Sequence, residues 1–311
     1  MSQSLVFCGT PRFAVPTLEA LVREGFQLAL VVTQPDKPRG RGLALGPPPV
    51  KESALALRLP VTQPQSIKNN DEFRAQLTAL KPEAIVVVGY GRIIPRWMID
   101  LPRLGNLNLH ASLLPQYRGA APIQWAIARG ETMSGVTTMR IDAGLDTGDV
   151  LLQKEIPINP ADTAETLATT LAAIGADLMV DTLRGLDAGT IAPRPQDDAK
   201  ATHAPILKKE DGRIDFRQAA QEISNRLRGF QPWPGAFTTF RGKNLHVWET
   251  AVAQHSLRPG ELLVEGGCLF VGCDASTALE LLTVQPEGKK RMASHDFIHG
   301  YRPQNGEKLG L

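Results

Sequence analysis

Asn108 and His110 stand two residues apart in the stretch Asn108-Leu109-His110-Ala111-Ser112-Leu113-Leu114-Pro115. In a strand, that spacing puts an amide and an imidazole on the same side. The run Gly105 to His110 reads as such a strand. Its carboxyl end is the edge at which open α/β sheets bind ligands. His110 is also the only histidine before residue 203, so the N-terminal half has no other imidazole for proton chemistry near neutral pH. A third group, Asp146, lies in Asp142-Ala143-Gly144-Leu145-Asp146-Thr147-Gly148, after a second strand-like run, Gly135 to Ile141. Two parallel strands ending at the same edge would bring that loop beside the pair. An amide donor and an imidazole can stabilise a developing oxyanion, and a carboxylate can orient the imidazole or relay a proton. The set suits attack of an amine on a carbonyl carbon. Ser112 is near, but no second histidine is, so direct transfer fits better than a covalent route. Singly, His110 could be a core histidine and Asp146 a turn former between glycines. Together, at a strand end followed by a Ser-Leu-Leu-Pro turn, they favour a reacting site.

The elements that must position these groups alternate. Leu5 to Cys8 is an apolar run ending in Gly9-Thr10-Pro11, followed by a helical pattern on Leu18, Leu21 and Val22 that stops at Gly25. Leu28 to Thr33 is strand-like again. Further strand-like runs, at Ala84 to Val88, Gly105 to His110 and Gly135 to Ile141, alternate with helical stretches at 50–59, 71–80 and 122–129. A long helix, Thr163 to Leu186, closes the series. This predicts an α/β fold, Rossmann-like, with a doubly wound and mostly parallel sheet, over residues 1–190. Residues 191–208, rich in Pro, Asp and Ala, read as a linker. Residues 209–311 hold one helix, Arg217 to Arg228, and five short strand candidates. They suggest a small C-terminal β-barrel of the OB-like, oligonucleotide-binding type.

Composition narrows the classes. The chain has 311 residues, 42% hydrophobic and 21% charged, with a net charge of +2, so a nucleic-acid partner must be argued from local patches. From Ile206 onward 14 Lys and Arg face 12 Asp and Glu. The three cysteines, Cys8, Cys268 and Cys273, have no metal-ligand spacing, and Cys8 reads as a core thiol. No metal is expected. The N-terminus lacks the pattern of a secretory leader, and no apolar stretch approaches the ~20 residues of a membrane helix. The Gly9 turn lacks the second and third glycines of a dinucleotide fingerprint, which disfavours a nicotinamide enzyme.

Residues 34–51 form a long βα connection carrying Lys37, Arg39, Arg41 and Lys51 against one acid, Asp36. A loop of that length calls for a role. Basic and glycine-flanked, it could meet phosphates and base edges of a nucleic-acid stem, although a solvated loop has the same composition. Lys289-Lys290-Arg291 and the pair Arg226/Arg228 are smaller basic patches, solvated faces by default.

Four segments carry a family resemblance: Phe7-Cys8-Gly9-Thr10-Pro11-Arg12-Phe13-Ala14, Asn108 to Pro115, Tyr117-Arg118-Gly119-Ala120-Ala121-Pro122-Ile123-Gln124, and Gly135 to Gly148. Phe230-Gln231-Pro232-Trp233-Pro234-Gly235-Ala236 extends it into the second half. On these the chain resembles the folate-dependent formyltransferases, and within them the branch that acts on methionyl-initiator tRNA. The resemblance implies a transferase of translation initiation. It would move the formyl group of the co-substrate 10-formyltetrahydrofolate to the free α-amine of methionyl-initiator tRNA. Asn108 and His110 would then stabilise the oxyanion and Asp146 would hold the proton relay. Ser112, Leu113, Leu114 and Pro115, with Tyr90, Ile93 and Asp142, would contact the folate. Lys37, Arg39, Arg41 and Lys51, with Lys289 and Lys290, would contact the tRNA, Arg41 foremost. A cytoplasmic monomer without membrane contact is expected. Ala111 stands where relatives usually carry glycine, a mild change unless the backbone there needs a positive φ. The same trio could serve a small amine such as glycinamide ribonucleotide or an amino sugar nucleotide. A non-catalytic RNA- or folate-binding protein would tolerate loss of the trio, which is intact here.

Overall fold

The structure, a computed structural model, describes residues 4–39, 44–274 and 276–310. In chain order, the first half runs β1 (Ser4–Gly9), α1 (Val15–Arg23), β2 (Gln27–Val32), β3 (Lys37–Arg39), β4 (Ala44–Gly46), α2 (Pro49–Ala56), β5 (Val61–Thr62), α3 (Asp71–Leu80), β6 (Ala84–Val88), α4 (Arg96–Ile99), β7 (Asn106–His110), β8 (Arg118–Gly119), α5 (Pro122–Ala128), β9 (Met133–Arg140) and β10 (Val150–Pro157). There follow α6 (Ala164–Asp187), β11 (His203–Ala204), α7 (Ala220–Gly229), β12 (Ala236–Phe240), β13 (Lys243–Ala253), β14 (Leu262–Glu265), β15 (Cys268–Gly272), β16 (Ala278–Pro286), β17 (Met292–Ala293) and α8 (Ser294–Tyr301). Two compact units emerge. The first comprises the chain up to Gly119 with Ser134–Ile156 and Ala168–His203, the second Ala120–Met133, Pro157–Leu167 and the chain from Ala204 onward.

The first unit is built on a seven-stranded sheet of order β10-β9-β7-β6-β1-β2-β5. Strands β5, β2, β1, β6 and β7 run parallel to one another, whereas β9 runs antiparallel to β7. The Rossmann-like, mostly parallel expectation therefore holds, with one reversal that bears on the site. The apolar runs of β1 and β6 are buried throughout their inner positions, as a sheet covered on both faces requires. Helix α3 shows how local chemistry sets an end: the Asn70 side chain accepts a hydrogen bond from Phe73 N at 3.0 Å, and Phe73 and Leu77 enter the core. Helix α6, 24 residues long, is apolar enough by length and composition to cross a membrane, so the expectation that no stretch approaches that length is corrected. Its Leu171, Met179 and Leu183 are fully buried in the fold.

The second unit holds an antiparallel sheet of order β12-β13-β16-β15-β14, with β17 paired to β16. Among the described residues this path is open between β12 and β14. One face of α7 (Ala220, Ile223, Leu227) enters its core with Leu245, Val247 and Leu269. Helix α5 belongs to this unit and packs on α7, with Trp125 edge-on to Phe230 at 5.2 Å. The approach is close: a Cβ on Gly229 would lie 2.6 Å from the Gln124 carbonyl.

Burial decides the cysteine chemistry. Cys8 is completely buried in β1, which pushes its thiol far above the usual range. Burial pushes Cys273 up to about 12. Cys268, half-buried, is raised by its hydrogen bond with Glu280. None is a ready thiolate. Iodoacetamide near neutral pH is thus expected to label the folded protein slowly and at Cys268 alone. Rapid labelling of all three sites, read by mass spectrometry, would contradict this burial.

Candidate active site

Strand β7 sits between parallel β6 and antiparallel β9, with Asn108 opposite Val87 and Met139, and His110 opposite Thr137. Asn106, Asn108 and His110 share one face by the strand period. Asn106 is buried, and its Nδ2 donates to the carbonyls of Met98 (2.8 Å) and Ile99 (3.1 Å), which anchors α4. Two residues on, the half-buried Asn108 side chain has no hydrogen-bond partner among the described residues. It is an amide held in place by its strand and left free to bind something else.

His110, 6% exposed, places Nε2 2.9 Å from the Tyr117 carbonyl. A carbonyl only accepts, so Nε2 carries the proton. Nδ1 then faces Asp146, 3.7 Å from Oδ2. That distance is longer than a hydrogen bond, so the carboxylate faces the ring nitrogen without bonding to it.

Asp146 reaches His110 by a different route from the one the sequence suggests. Because β9 is antiparallel to β7, its end lies at the amino end of β7, where Ile141 N donates to the Asn106 carbonyl. The 141–149 loop must fold back by about 13 Å, four residues of strand rise. It is pinched at its root, where Arg140 N donates to Asp149 O at 2.9 Å and Gly148 lies so close that a Cβ would strike the Arg140 carbonyl. Asp142 is used inside this loop, its carboxylate accepting from Gly144 N (3.0 Å) and Thr147 Oγ1 (2.8 Å). Asp146 has φ +54°, the left-handed region that Asp tolerates better than most residues, at a cost of about 1–3 kcal/mol met by the surrounding bonds. Its Oδ2 accepts from Gly119 N at 2.9 Å.

The 111–119 turn is tied down from within. Ser112 Oγ donates to Gln116 O (2.6 Å), and Thr137 Oγ1 donates to Ser112 O (2.6 Å) while accepting from Leu114 N (3.1 Å). The Ser112 hydroxyl is therefore a turn closer. Leu113 is half-buried, as is Pro115, and Leu114 is buried. Ala111 is not among the left-handed residues, so its methyl brings no strain. The Tyr90 ring is 1% exposed, in the core behind β6, its hydroxyl without a partner and burial holding its pKa far up. Its carbonyl accepts from Gln34 Nε2 (2.8 Å) and Thr10 Oγ1 (3.1 Å). By contrast Ile93 is 92% and Leu145 68% exposed, two apolar side chains left in solvent on the loops that carry Tyr90 and Asp146.

The segment expected to be a linker does more than connect. Arg194 pairs with Val150 at the sheet edge, and Thr202 accepts from Tyr117 N through Oγ1 (2.8 Å) and from Arg118 N through its carbonyl (2.9 Å). Gln196 Nε2 donates to the carbonyls of Asp146 (2.9 Å) and Gly148 (2.7 Å). Its Oε1 accepts from Arg118 Nε (3.1 Å) and Nη2 (2.8 Å), and Arg118, 6% exposed, also pairs with Asp198 at 2.8 Å. Neither Arg118 nor Gln196 stands out in the sequence as a site residue. A buried Arg leaves no periodic signal, and a Gln among Pro and Asp reads as loop.

The basic residues divide. Instead of an irregular loop, Lys37 and Arg39 lie on β3 of a hairpin whose partner strand is β4. Lys37 Nζ donates to Gln34 Oε1 at 2.8 Å. Arg41 lies outside the described residues. Lys51, on α2, is not a free cation, since it pairs with both Asp36 oxygens at 2.8 and 2.9 Å. Lys289 and Lys290 are exposed on the turn after β16, next to Arg291, whose guanidinium lies 3.3 Å from the Trp248 ring centre. Trp248 stacks near His246, a histidine whose pKa burial and Lys209 push down. Arg226 and Arg228 are spent internally on the carbonyls of Asp211 (2.9 Å) and Asp162 (2.6 Å). Each therefore has an internal partner.

Against known proteins, residues 2–183 match the family described as Formyl transferase, and residues 206–302 match Formyl transferase, C-terminal domain. The methionyl-tRNA formyltransferase of Koribacter versatilis (strain Ellin345) is 66% identical over 98% of each chain. Among solved structures, a sugar 3N-formyl transferase crystallised with dTDP and 5-N-formyl-THF shares the fold at TM-score 0.67 and 17% identity, covering 93% of this chain and 100% of that one. The methionyl-tRNA formyltransferase from Clostridium thermocellum does so at TM-score 0.56 and 19% identity, covering 80% and 93%. With both halves of the family pattern matched in tandem, the chain belongs to the formyl transferase family.

Proposed function

We propose that this chain transfers the formyl group of 10-formyltetrahydrofolate to the α-amine of methionyl-initiator tRNA, with Asn108, His110 and Asp146 as its catalytic residues. The observation that carries the reading is the convergence, at one strand, of an unpartnered amide and an imidazole that faces a carboxylate at 3.7 Å. The folate supplies the activated formyl carbon: a bond from that carbon to the amine forms, the bond to the folate nitrogen breaks, and one proton passes from amine to folate. Asn108 Nδ2, with no competing acceptor, is free to donate to the oxygen on which charge grows. His110, held by the Tyr117 carbonyl at Nε2, keeps Nδ1 toward Asp146, the arrangement of a proton relay that tightens when substrate binds.

Ser112, Leu113, Leu114 and Pro115, with Tyr90, Ile93 and Asp142, form the folate-side surface in this reading. Ile93 and Leu145 fit it, since a flat ring system would cover their exposed apolar area. Tyr90 and Asp142 contribute through the backbone they shape rather than through free side chains. Lys37, Arg39 and Arg41 of the 34–51 segment, and Lys289 and Lys290, exposed next to Arg291, supply the charge that RNA phosphates would meet in this reading. Lys51 supports the hairpin through Asp36. The protein works in the cytoplasm as a monomer.

The test is formyl transfer from 10-formyltetrahydrofolate to methionyl-initiator tRNA, with elongator methionyl-tRNA, glycinamide ribonucleotide and an amino sugar nucleotide as controls. Preference for a small amine would overturn the tRNA reading and leave the chemistry standing. Arg41→Leu is expected to lower kcat/KM on methionyl-initiator tRNA by about 5- to 150-fold, the worth of one arginine contact of about 1–3 kcal/mol. The melting temperature should not move. An unchanged kcat/KM would remove Arg41 from substrate recognition.

A further inference from the structure

Resting on the reading of Asp146 as part of the reacting site, we propose that Arg118 and Gln196 are positioning residues that set the Asp146 carboxylate. The 146–148 turn brings two carbonyls, those of Asp146 and Gly148, toward one point, and the Gln196 amide nitrogen sits there, 2.9 and 2.7 Å away. Two converging carbonyls repel each other unless a donor lies between them. Gln196 is thus the donor that lets the turn close with Asp146 left-handed.

Which way the Gln196 amide points is decided by Arg118. A guanidinium only donates, so Oε1 must face Arg118 Nε and Nη2, and Nε2 must face the turn. The buried Arg118 is itself neutralised by the exposed Asp198 at 2.8 Å. The backbone next to Arg118 completes the hold. Gly119 N donates to Asp146 Oδ2, and the Tyr117 carbonyl accepts from His110 Nε2. The three residues Tyr117, Arg118 and Gly119 therefore grip His110, the carbonyl side of the Asp146 turn and the Asp146 carboxylate. Releasing Gln196 frees the turn and lets the carboxylate leave Nδ1 of His110.

The experiment compares the wild type, Gln196→Met, Gln196→Glu, Asp146→Asn and the double variant Gln196→Met/Asp146→Asn, all as full chains. Turnover is measured with 10-formyltetrahydrofolate and methionyl-initiator tRNA, and a melting curve is taken for each. Gln196→Met is expected to lower kcat on the order of 10²-fold, with KM for the tRNA within about twofold. Gln196→Glu keeps the acceptor for Arg118 but aims a carboxylate at two carbonyls, so it should fall as far; it also preserves the buried Arg118 pairing should the Met variant not fold. On the Asp146→Asn background the Gln196 substitution should cost less than about threefold, because the group it positions is already gone. Near wild-type kcat in Gln196→Glu, or the full loss repeated on the Asp146→Asn background, would overturn the positioning role while leaving Asp146 in the site. Wild-type turnover in Asp146→Asn alone would instead overturn the site reading, and the positioning role with it.

Discussion

Asn108→Ala is expected to lower turnover by about 10²–10³-fold, the usual worth of one oxyanion donor, and to leave the fold near wild-type stability. The stability half follows from what Asn108 does not do. Its side chain bonds to nothing among the described residues, so removing it orphans no buried group. Asn106 is the internal control. It lies on the same face two residues earlier, but its Nδ2 satisfies the carbonyls of Met98 and Ile99. Asn106→Ala should therefore lower stability by about 1–3 kcal/mol in urea unfolding and leave the kcat of the folded fraction nearly unchanged. If the two variants exchanged these phenotypes, the assignment of the free amide to catalysis would be wrong.

Asp146→Asn carries the second large effect, a loss of about 10²–10⁴-fold in kcat, the range for removing a positioned proton acceptor. Asparagine is the informative replacement. It tolerates the left-handed backbone at this position, and its carbonyl can still accept from Gly119 N, so the turn survives. What disappears is the negative charge facing His110 Nδ1. Binding of methionyl-initiator tRNA should stay within about twofold, since affinity comes from contacts elsewhere. Retained turnover in this variant would reduce Asp146 to a turn former. His110→Ala should match it in size, because the ring and the carboxylate act as one unit and their losses do not add.

Parts of this site are legible in the sequence alone. The Asn-x-His spacing puts both side chains on one face whatever the strand's neighbours are, because a strand's period is two. The apolar runs of β1, β2 and β6 announced a covered sheet, and the 71–80 pattern announced a helix. The Asp142 to Gly148 loop was recognisable as a tight, glycine-bearing turn. Its path was not, because strand direction is set by pairing across more than twenty residues, and β9 turned out antiparallel. The hairpin β3–β4, too short to show a period, was hidden in what read as loop. The 24-residue helix was legible as Thr163 to Leu186, but Glu165, Asp177, Asp181 and Arg184 hid how apolar its length is.

Charge was the least transparent property. Lys51, Arg226 and Arg228 look in sequence like Lys289 or Lys290, but each meets an internal carboxylate or carbonyl. Composition records that a cation exists and not what it faces. The same holds in reverse for Arg118 and Gln196, whose side chains find their partners some 50 to 80 residues away. Residue type and local spacing were enough to name the reacting groups, because the chemistry of an amide, an imidazole and a carboxylate travels with the side chain. Which of them are free, which are held and at what distance were decided by contacts between remote segments, because hydrogen bonds and burial are settled only when the chain has closed on itself.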